Sequence, residues 1–337
     1  MQIGHIELGH RPLFMAPMED ITDPSFRFLC KRSGADVMYT EFISSDGLIR
    51  DGAKSLQKLE IFDYERPMGI QLYGHLVEAM VEATHRAAES DPDLIDINFG
   101  CPVRKIAKRG AGAGMLANIP LMLEMTRAIV AASPVPVTVK TRLGTDGQHK
   151  PIVEVAEMLQ DQGISAITIH GRTRVQMYRG EADWTLIGEV KNNPRMHIPV
   201  IGNGDITHPL EAKKAFDRYG VDGIMIGRAA VGRPWLFGQI RHYLDRGELL
   251  PDPSVAEKVE MAKLHFSKSL EFKSEPVGIY EMRRHFSNYF KGLPHFREMR
   301  IRLLTSLDTE EIYSILDRIK ETYGHLRPEV SGSFWDQ

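Results

Sequence analysis

The chain has 337 residues, of which 42% are hydrophobic and 26% charged, with a formal net charge of −3. That length suits a barrel of about 250 residues plus a smaller appendage, and the near-neutral balance excludes a global polyanion-binding surface, so any nucleic-acid contact must rest on a local patch. Two cysteines, Cys30 and Cys101, exclude a disulfide framework, and the lack of a signal-like N-terminus or of a long apolar run points to a cytoplasmic protein without membrane contact.

The opening IGHIELGHRPL reads as a small hairpin that plugs the bottom of a barrel. Eight short β-rich stretches follow: LFMAPM (13–18), DVMYTEF (36–42), PMGIQLYG (67–74), LIDINFG (94–100), PVTVKTR (136–142), AITIHGR (166–172), PVIGNGDI (199–206) and GIMIGRA (223–229). Helical stretches lie between them, for example 75–90 and 119–133, the latter with Leu121, Met125, Ile129 and Val130 on one face. Strands alternating with helices in this number predict an α/β fold, a (β/α)8 TIM barrel. After ELLPDP (248–253) the periodicity is helical only, with helices expected over 254–273, 276–292, 295–303 and 308–323. The expected division is a barrel domain over 1–245 and a smaller all-helical domain over 246–337. Cys30, on a predicted helix, reads as a core residue.

Reactive groups of such barrels gather where the strands end. Those ends carry Ala16, Pro17 and Met18, then Glu41, Gln71, Asn98 with Cys101, Lys140 with Arg142, His170 with Arg172, Asn203, Gly204 and Asp205, and Gly227 with Arg228. The glycine-rich turns IGNGDI and MIGRAA are a candidate phosphate cradle, with Arg228 as a charged contact, or else ordinary tight turns. Neither is the G-x-G-x-x-G fingerprint. GAGAG (110–114) reads as a flexible loop over the site. A lysine at the end of VTVK needs an anionic partner. A reduced flavin would supply one, and a Schiff-base lysine is the alternative. Gln71 and Asn203 suit the amide and carbonyl edges of a planar ring. His170 is a phosphate, flavin or base contact, or a core histidine. No metal cluster is expected.

Cys101 is followed by Arg104, Lys105, Lys108 and Arg109, with no acidic residue between Asp96 and Glu124. Those cations would favour thiolate. A general acid needs the neutral thiol instead, and the sequence leaves both roles open.

Taken together, APM at 16–18, Gln71, DINFGCPVRKI with GAGAGML, VKTRLG, IHGRT, NGDI and IGRAA resemble the tRNA-dihydrouridine synthases, in order, over about residues 10–240. The motif details are most similar to the bacterial B-type members. The resemblance implies FMN at the barrel mouth, held by Ala16, Pro17, Met18, Gln71, Lys140, His170, Asn203, Gly204, Asp205, Gly227 and Arg228. It implies NADPH or NADH as reductant and a uridine of the tRNA D-loop as substrate. Cys101 would be the proton donor and Asn98 would orient the uracil, with Arg142 and Arg172 in substrate-facing loops.

For tRNA the candidate grip is RRHFSNYFKGLPHFREMRIRL (283–303), with Arg284 and Lys291 as phosphate contacts. At helical spacing Met282, Phe286, Tyr289 and Leu293 form one face, expected to be core, and Arg284, Asn288 and Lys291 form another. No protein partner is implied, and a monomer is expected. Two alternatives stand beside this reading: a flavoenzyme acting on free pyrimidines, and a non-catalytic RNA-binding protein.

Overall fold

The computed structural model of the protein describes residues 1–327. Eight parallel strands form the predicted barrel: β1 (Leu13–Met15), β2 (Met38–Tyr39), β3 (Met68–Tyr73), β4 (Leu94–Asn98), β5 (Val137–Arg142), β6 (Ala166–His170), β7 (Val200–Asn203) and β8 (Gly223–Ile226). They pair in the order β1-β8-β7-β6-β5-β4-β3-β2. A parallel bridge between Phe14 and Val37, with the Met15 N–H donating to the Val37 carbonyl at 2.9 Å, closes the ring between β1 and β2.

Most strands stop short of the predicted ends: β1 at Met15 rather than 18, β7 at Asn203 rather than 206. The missing residues are those that turn into the mouth. Their peptides leave the ladder, although their side chains still read as apolar or polar continuations of the strand. Register then sets the site. Gln71 pairs with Asp96, Asn98 with Lys140, Arg142 with His170, and His170 with Asn203.

Alternation along the strands fills the lumen from one side and the outer layer from the other. Phe14, Val37, Tyr39, Leu94, Ala166, Ile201 and Met225 form an inner cluster with Ile3 and Ile6. These last two belong to the N-terminal hairpin (Gln2–Ile3 with Ile6–Glu7), so the hairpin does plug the barrel. Leu13 and Met15 belong to the larger layer shared with the helices, together with Cys30, which is fully buried as expected. In the Ile119–Ala132 helix the buried stripe is Met122, Met125, Thr126 and Ile129. Leu121 and Val130, predicted on that face, only flank it, because the true stripe runs one residue out of phase with them.

The later helices, Val255–Phe272, Glu275–Tyr289, Arg297–Thr305 and Thr309–Tyr323, match the predicted ones closely. Ser254 starts the first: its hydroxyl accepts from the Glu257 N–H and its own N–H donates to the Glu257 carboxylate. Val259, Phe266, Phe286, Tyr289, Phe290, Phe296 and Leu316 build a second core, which Trp235 joins. The aromatic residues of the basic segment are therefore core, as their spacing suggested. Asn288 was expected on the outer face but is buried, its Nδ2 donating to the Arg284 carbonyl.

Helices and barrel meet at the Pro24–Arg32 helix. Asp23 caps that helix, accepting from the Phe26 N–H at 2.8 Å, and pairs with Lys273, which also pairs with Glu281. The Phe26 ring lies 5.5 Å from His265 and 4.6 Å from His285, centroid to centroid.

Candidate active site

A cleft of about 280 Å³ opens among the C-terminal ends of the strands. Ala16, Pro17, Met18, Gln71, Asn98, Cys101, Lys140, Arg142, His170, Asn203, Gly204, Asp205, Gly227 and Arg228 all line it. Arg284 joins them from the Glu275–Tyr289 helix, donating to the Asp20 carbonyl at 3.4 Å. Arg172 and Lys291 do not line the cleft. Lys291 borders a separate groove with Arg297 and Arg300. Glu41 accepts from the Asp20 N–H at 2.6 Å and lies 3.7 Å from Lys58.

The floor is a relay of side-chain hydrogen bonds. Thr138 donates to one oxygen of Asp96 at 2.5 Å, and Gln71 Nε2 donates to the other at 2.6 Å. Gln71 Oε1 accepts from Asn98 Nδ2 at 2.8 Å. Asn98 Oδ1 in turn accepts the backbone N–H groups of Gly100 and Cys101 at 2.9 and 2.8 Å. Burial raises the Asp96 carboxyl to about 6, with the Gln71 and Thr138 bonds opposing. Asp96 lies two residues before Asn98 in β4, so both face inward. Its place inside the apolar stretch LIDIN gives it no mark of a site residue in the sequence.

Asn98 therefore fixes the turn that carries Cys101. A second clamp comes from β5: Arg142 Nε donates to the Gly100 carbonyl at 2.6 Å, and Nη1 to the Met177 carbonyl at 2.8 Å. The third is GAGAG, which is not the flexible loop its composition predicted. Residues Gly112–Ala117 form a 3₁₀ turn that is buried from Gly112 to Leu116, and the Ala113 N–H donates to the Cys101 carbonyl at 2.9 Å. Gly112 has φ +55°, and a Cβ there would lie 2.8 Å from the Cys101 carbonyl oxygen. Small residues are needed because the backbone packs directly against the cysteine turn.

Cys101 is 8% exposed. Burial raises its pKa, against lowering by the Val103 backbone bond, Arg142 and Lys140. The thiol is neutral at pH 7. The cations that oppose its burial come from β5 rather than from Arg104, Lys105, Lys108 and Arg109, which are exposed.

Lys140 donates from Nζ to Asn203 Oδ1 at 3.3 Å, and Asn203 Nδ2 donates to the Met225 carbonyl at 2.8 Å. Burial, then Arg142, lowers Lys140 to about 8. Burial likewise lowers Arg142 to about 10. His170 is pushed well below the usual imidazole range by burial and then by Arg142, Lys140, Arg172 and Arg228. It is neutral. Arg172 Nη1 lies 3.3 Å from His170 Nε2 and can only donate, which assigns the ring proton to Nδ1.

Arg172 is otherwise committed to Asp205 at 2.7 Å and to the carbonyls of Arg179 and Gly180. Its place is behind His170, orienting the ring, rather than in the substrate-facing loop position expected for it. Asp205 also lies 3.5 Å from Arg228, whose guanidinium sits 4.7 Å from the centroid of Tyr178. Tyr178, Glu19, Ile21, Phe42, Val103 and Thr207 line the cleft as well. They come from loops, where no periodicity marks them.

Residues 14–322 match the family described as dihydrouridine synthase. The chain is 38% identical to tRNA-dihydrouridine synthase B of Pseudomonas putida over 92% of this chain and 91% of that one. It is 40% identical to tRNA-dihydrouridine synthase B of Shewanella oneidensis, covering 86% and 89%. It is 38% identical to a probable tRNA-dihydrouridine synthase of Rickettsia bellii, covering 89% and 91%. Among solved structures, a morphinone reductase variant in complex with tetrahydroNAD superposes with a TM-score of 0.53 at 13% identity, over 75% of this chain and 91% of that one. The amine oxidase for 6-hydroxypseudooxynicotine from Pseudomonas geniculata reaches 0.57 at 14% identity, over 77% and 52%. These two likenesses concern the barrel fold alone.

Proposed function

The chain belongs to the dihydrouridine synthase family, and from that premise we propose that it reduces the C5–C6 bond of uridine in tRNA, with FMN in the barrel mouth and Cys101 as proton donor. The observation that carries this reading is a neutral, buried thiol held by three clamps at the rim of a cation-lined cleft. A thiol kept protonated suits an acid better than a nucleophile.

The residues present fit a phosphorylated, anion-bearing planar cofactor. Lys140, Arg142, Arg228 and Arg284 line the cleft against Glu19 and Asp205, and burial depresses both Lys140 and Arg142. An anion would offset that cost. Gly204 has φ +127°, and a Cβ there would lie 2.6 Å from Ala182, so its backbone stays bare for close approach. Ala16, Pro17, Met18 and Gly227 offer an apolar edge for a ring, since a Cβ on Gly227 would lie 3.4 Å from Ala16 and 3.6 Å from the Met18 sulfur. Gln71 and Asn203 lie where amide groups can meet ring edges. His170 offers a fixed Nδ1–H, and Asp205 keeps Arg228 near the glycine-rich turns.

When bound, FMN supplies the hydride that C6 of the conjugated uracil demands, after recharging by NADPH or NADH. Cys101 donates the proton to C5. The thiolate it leaves is stabilised by Arg142 and Lys140, the two cations that already act on the sulfur. Asn98 has spent its oxygen on the cysteine turn and one Nδ2 hydrogen on Gln71, so only the second Nδ2 hydrogen remains for a uracil carbonyl. The uridine must leave its stack to enter, and the cationic surface around Arg284 and Lys291 would hold the surrounding phosphates.

The test is anaerobic. The purified protein should be yellow, with absorbance at about 450 nm that NADPH bleaches and tRNA restores, with dihydrouridine formed in equal amount. Bleaching without restoration by tRNA, or equal turnover of free uridine, would overturn the tRNA reading.

A further inference from the structure

We propose that a second cavity, beside the candidate active site, receives the nucleotide adjoining the reduced uridine; this rests on the tRNA reading above. The cavity measures about 270 Å³ and shares Glu19, Phe42 and Val103 with the catalytic cleft. The two spaces therefore lie back to back across one ridge of side chains, and a strand that puts a base into one has its neighbour at the other.

The chemistry of the second cavity suits a single-stranded nucleotide. Phe42 and Tyr73 meet edge to face at 5.4 Å, and Ile106 adds an aliphatic wall. Val103, on the ridge, is 44% exposed, an apolar side chain left in solvent that the face of a base would cover. Lys105 and Arg109 line it as well, beside the carboxylates of Glu19 and Asp46. Arg109 is 61% exposed and pairs with Asp46 at 3.1 Å through Nη2, a bond that leaves other guanidinium N–H groups to donate to a phosphate. Aromatic surface flanked by cations binds bases with little sequence preference. The dinucleotide reductant carries the same ring-plus-phosphate chemistry, and the experiment separates the two.

The holoenzyme is assayed with an intact tRNA transcript and with transcripts abasic at the position 5′ or 3′ to the reduced uridine, using wild type, Tyr73→Ala and Arg109→Gln. For wild type, one abasic transcript should raise KM about tenfold with little change in kcat. Tyr73→Ala should show that loss on intact tRNA and no further loss on the abasic one. Arg109→Gln, a change at an exposed side chain, should raise the tRNA KM a few-fold at unchanged flavin content. Equal turnover of both abasic transcripts by wild type, additive losses in Tyr73→Ala, or a shift in the NADPH KM instead would overturn the proposal. Absence of dihydrouridine from intact tRNA with wild type would instead overturn the function on which it rests.

Discussion

At Cys101, burial and cations pull in opposite directions, and burial prevails. Replacing the thiol tests the consequence. Cys101→Ala should bind FMN and bleach with NADPH as before, while dihydrouridine formation falls by about 10²-fold or more, the usual share of a positioned acid. Product formation at the normal rate would remove the acid role. Lys140 supplies a second residue-level expectation. Its pKa of about 8 means that it carries charge at pH 7 and loses it as pH rises through that value. FMN affinity, followed by fluorescence titration of the apoprotein, should therefore weaken between about pH 7 and 9. In Lys140→Met it should already be weak at pH 7 and lose that dependence.

Elements deliver these residues with different degrees of freedom. β4 and β5 fix Asn98, Lys140 and Arg142 through ladder register, so their placement is rigid. Cys101 lies beyond the strand and owes its position to the Asn98 cap, the Arg142 clamp and the GAGAG turn. Gly112→Ala challenges only the last of these. The new Cβ at 2.8 Å from the Cys101 carbonyl oxygen, with φ +55°, must push the turn aside. We expect kcat to fall about tenfold through misplacement of Cys101, with flavin content and the reductive half-reaction unchanged. An unaltered kcat would mean that the other two clamps suffice.

Across the molecule, the contact between barrel and helices includes buried titratable groups among its aromatic rings. His265 and His285 lie 4.4 Å apart, centroid to centroid, between Phe26 and Tyr289, near Asp23 and Lys273. Burial lowers His265 to about 4 and holds His285 well below its usual range. Below about pH 6.5 the unfolded chain takes up protons that the folded chain refuses, so stability falls as pH drops from there toward 4. For His265 alone the loss from pH 7 to 5 is on the order of 2 kcal/mol. Asp23, at about 2, keeps its charge and its Lys273 pairing through that window. Urea midpoints at pH 7 and 5 should show the drop, and His265→Phe should reduce it. A midpoint insensitive to pH would show that water reaches the pair.

Sequence alone determined the barrel, the helical remainder and most of the mouth. Strand periodicity is local, and the C-terminal ends of parallel strands necessarily converge, so Ala16, Gln71, Asn98, Lys140, His170, Asn203 and Gly227 could be named in advance as neighbours. What a side chain does once there depends on partners distant in the chain. Arg172 turned to His170 and Asp205, Arg142 to the Gly100 carbonyl, and GAGAG to the back of the cysteine turn. Arg284 reached the cleft from a helix about 180 residues after Cys101, while Lys291 on the same basic run did not. Only the tertiary structure decided these matters, because burial and hydrogen-bond competition are properties of the packed assembly, which spacing along the chain does not encode.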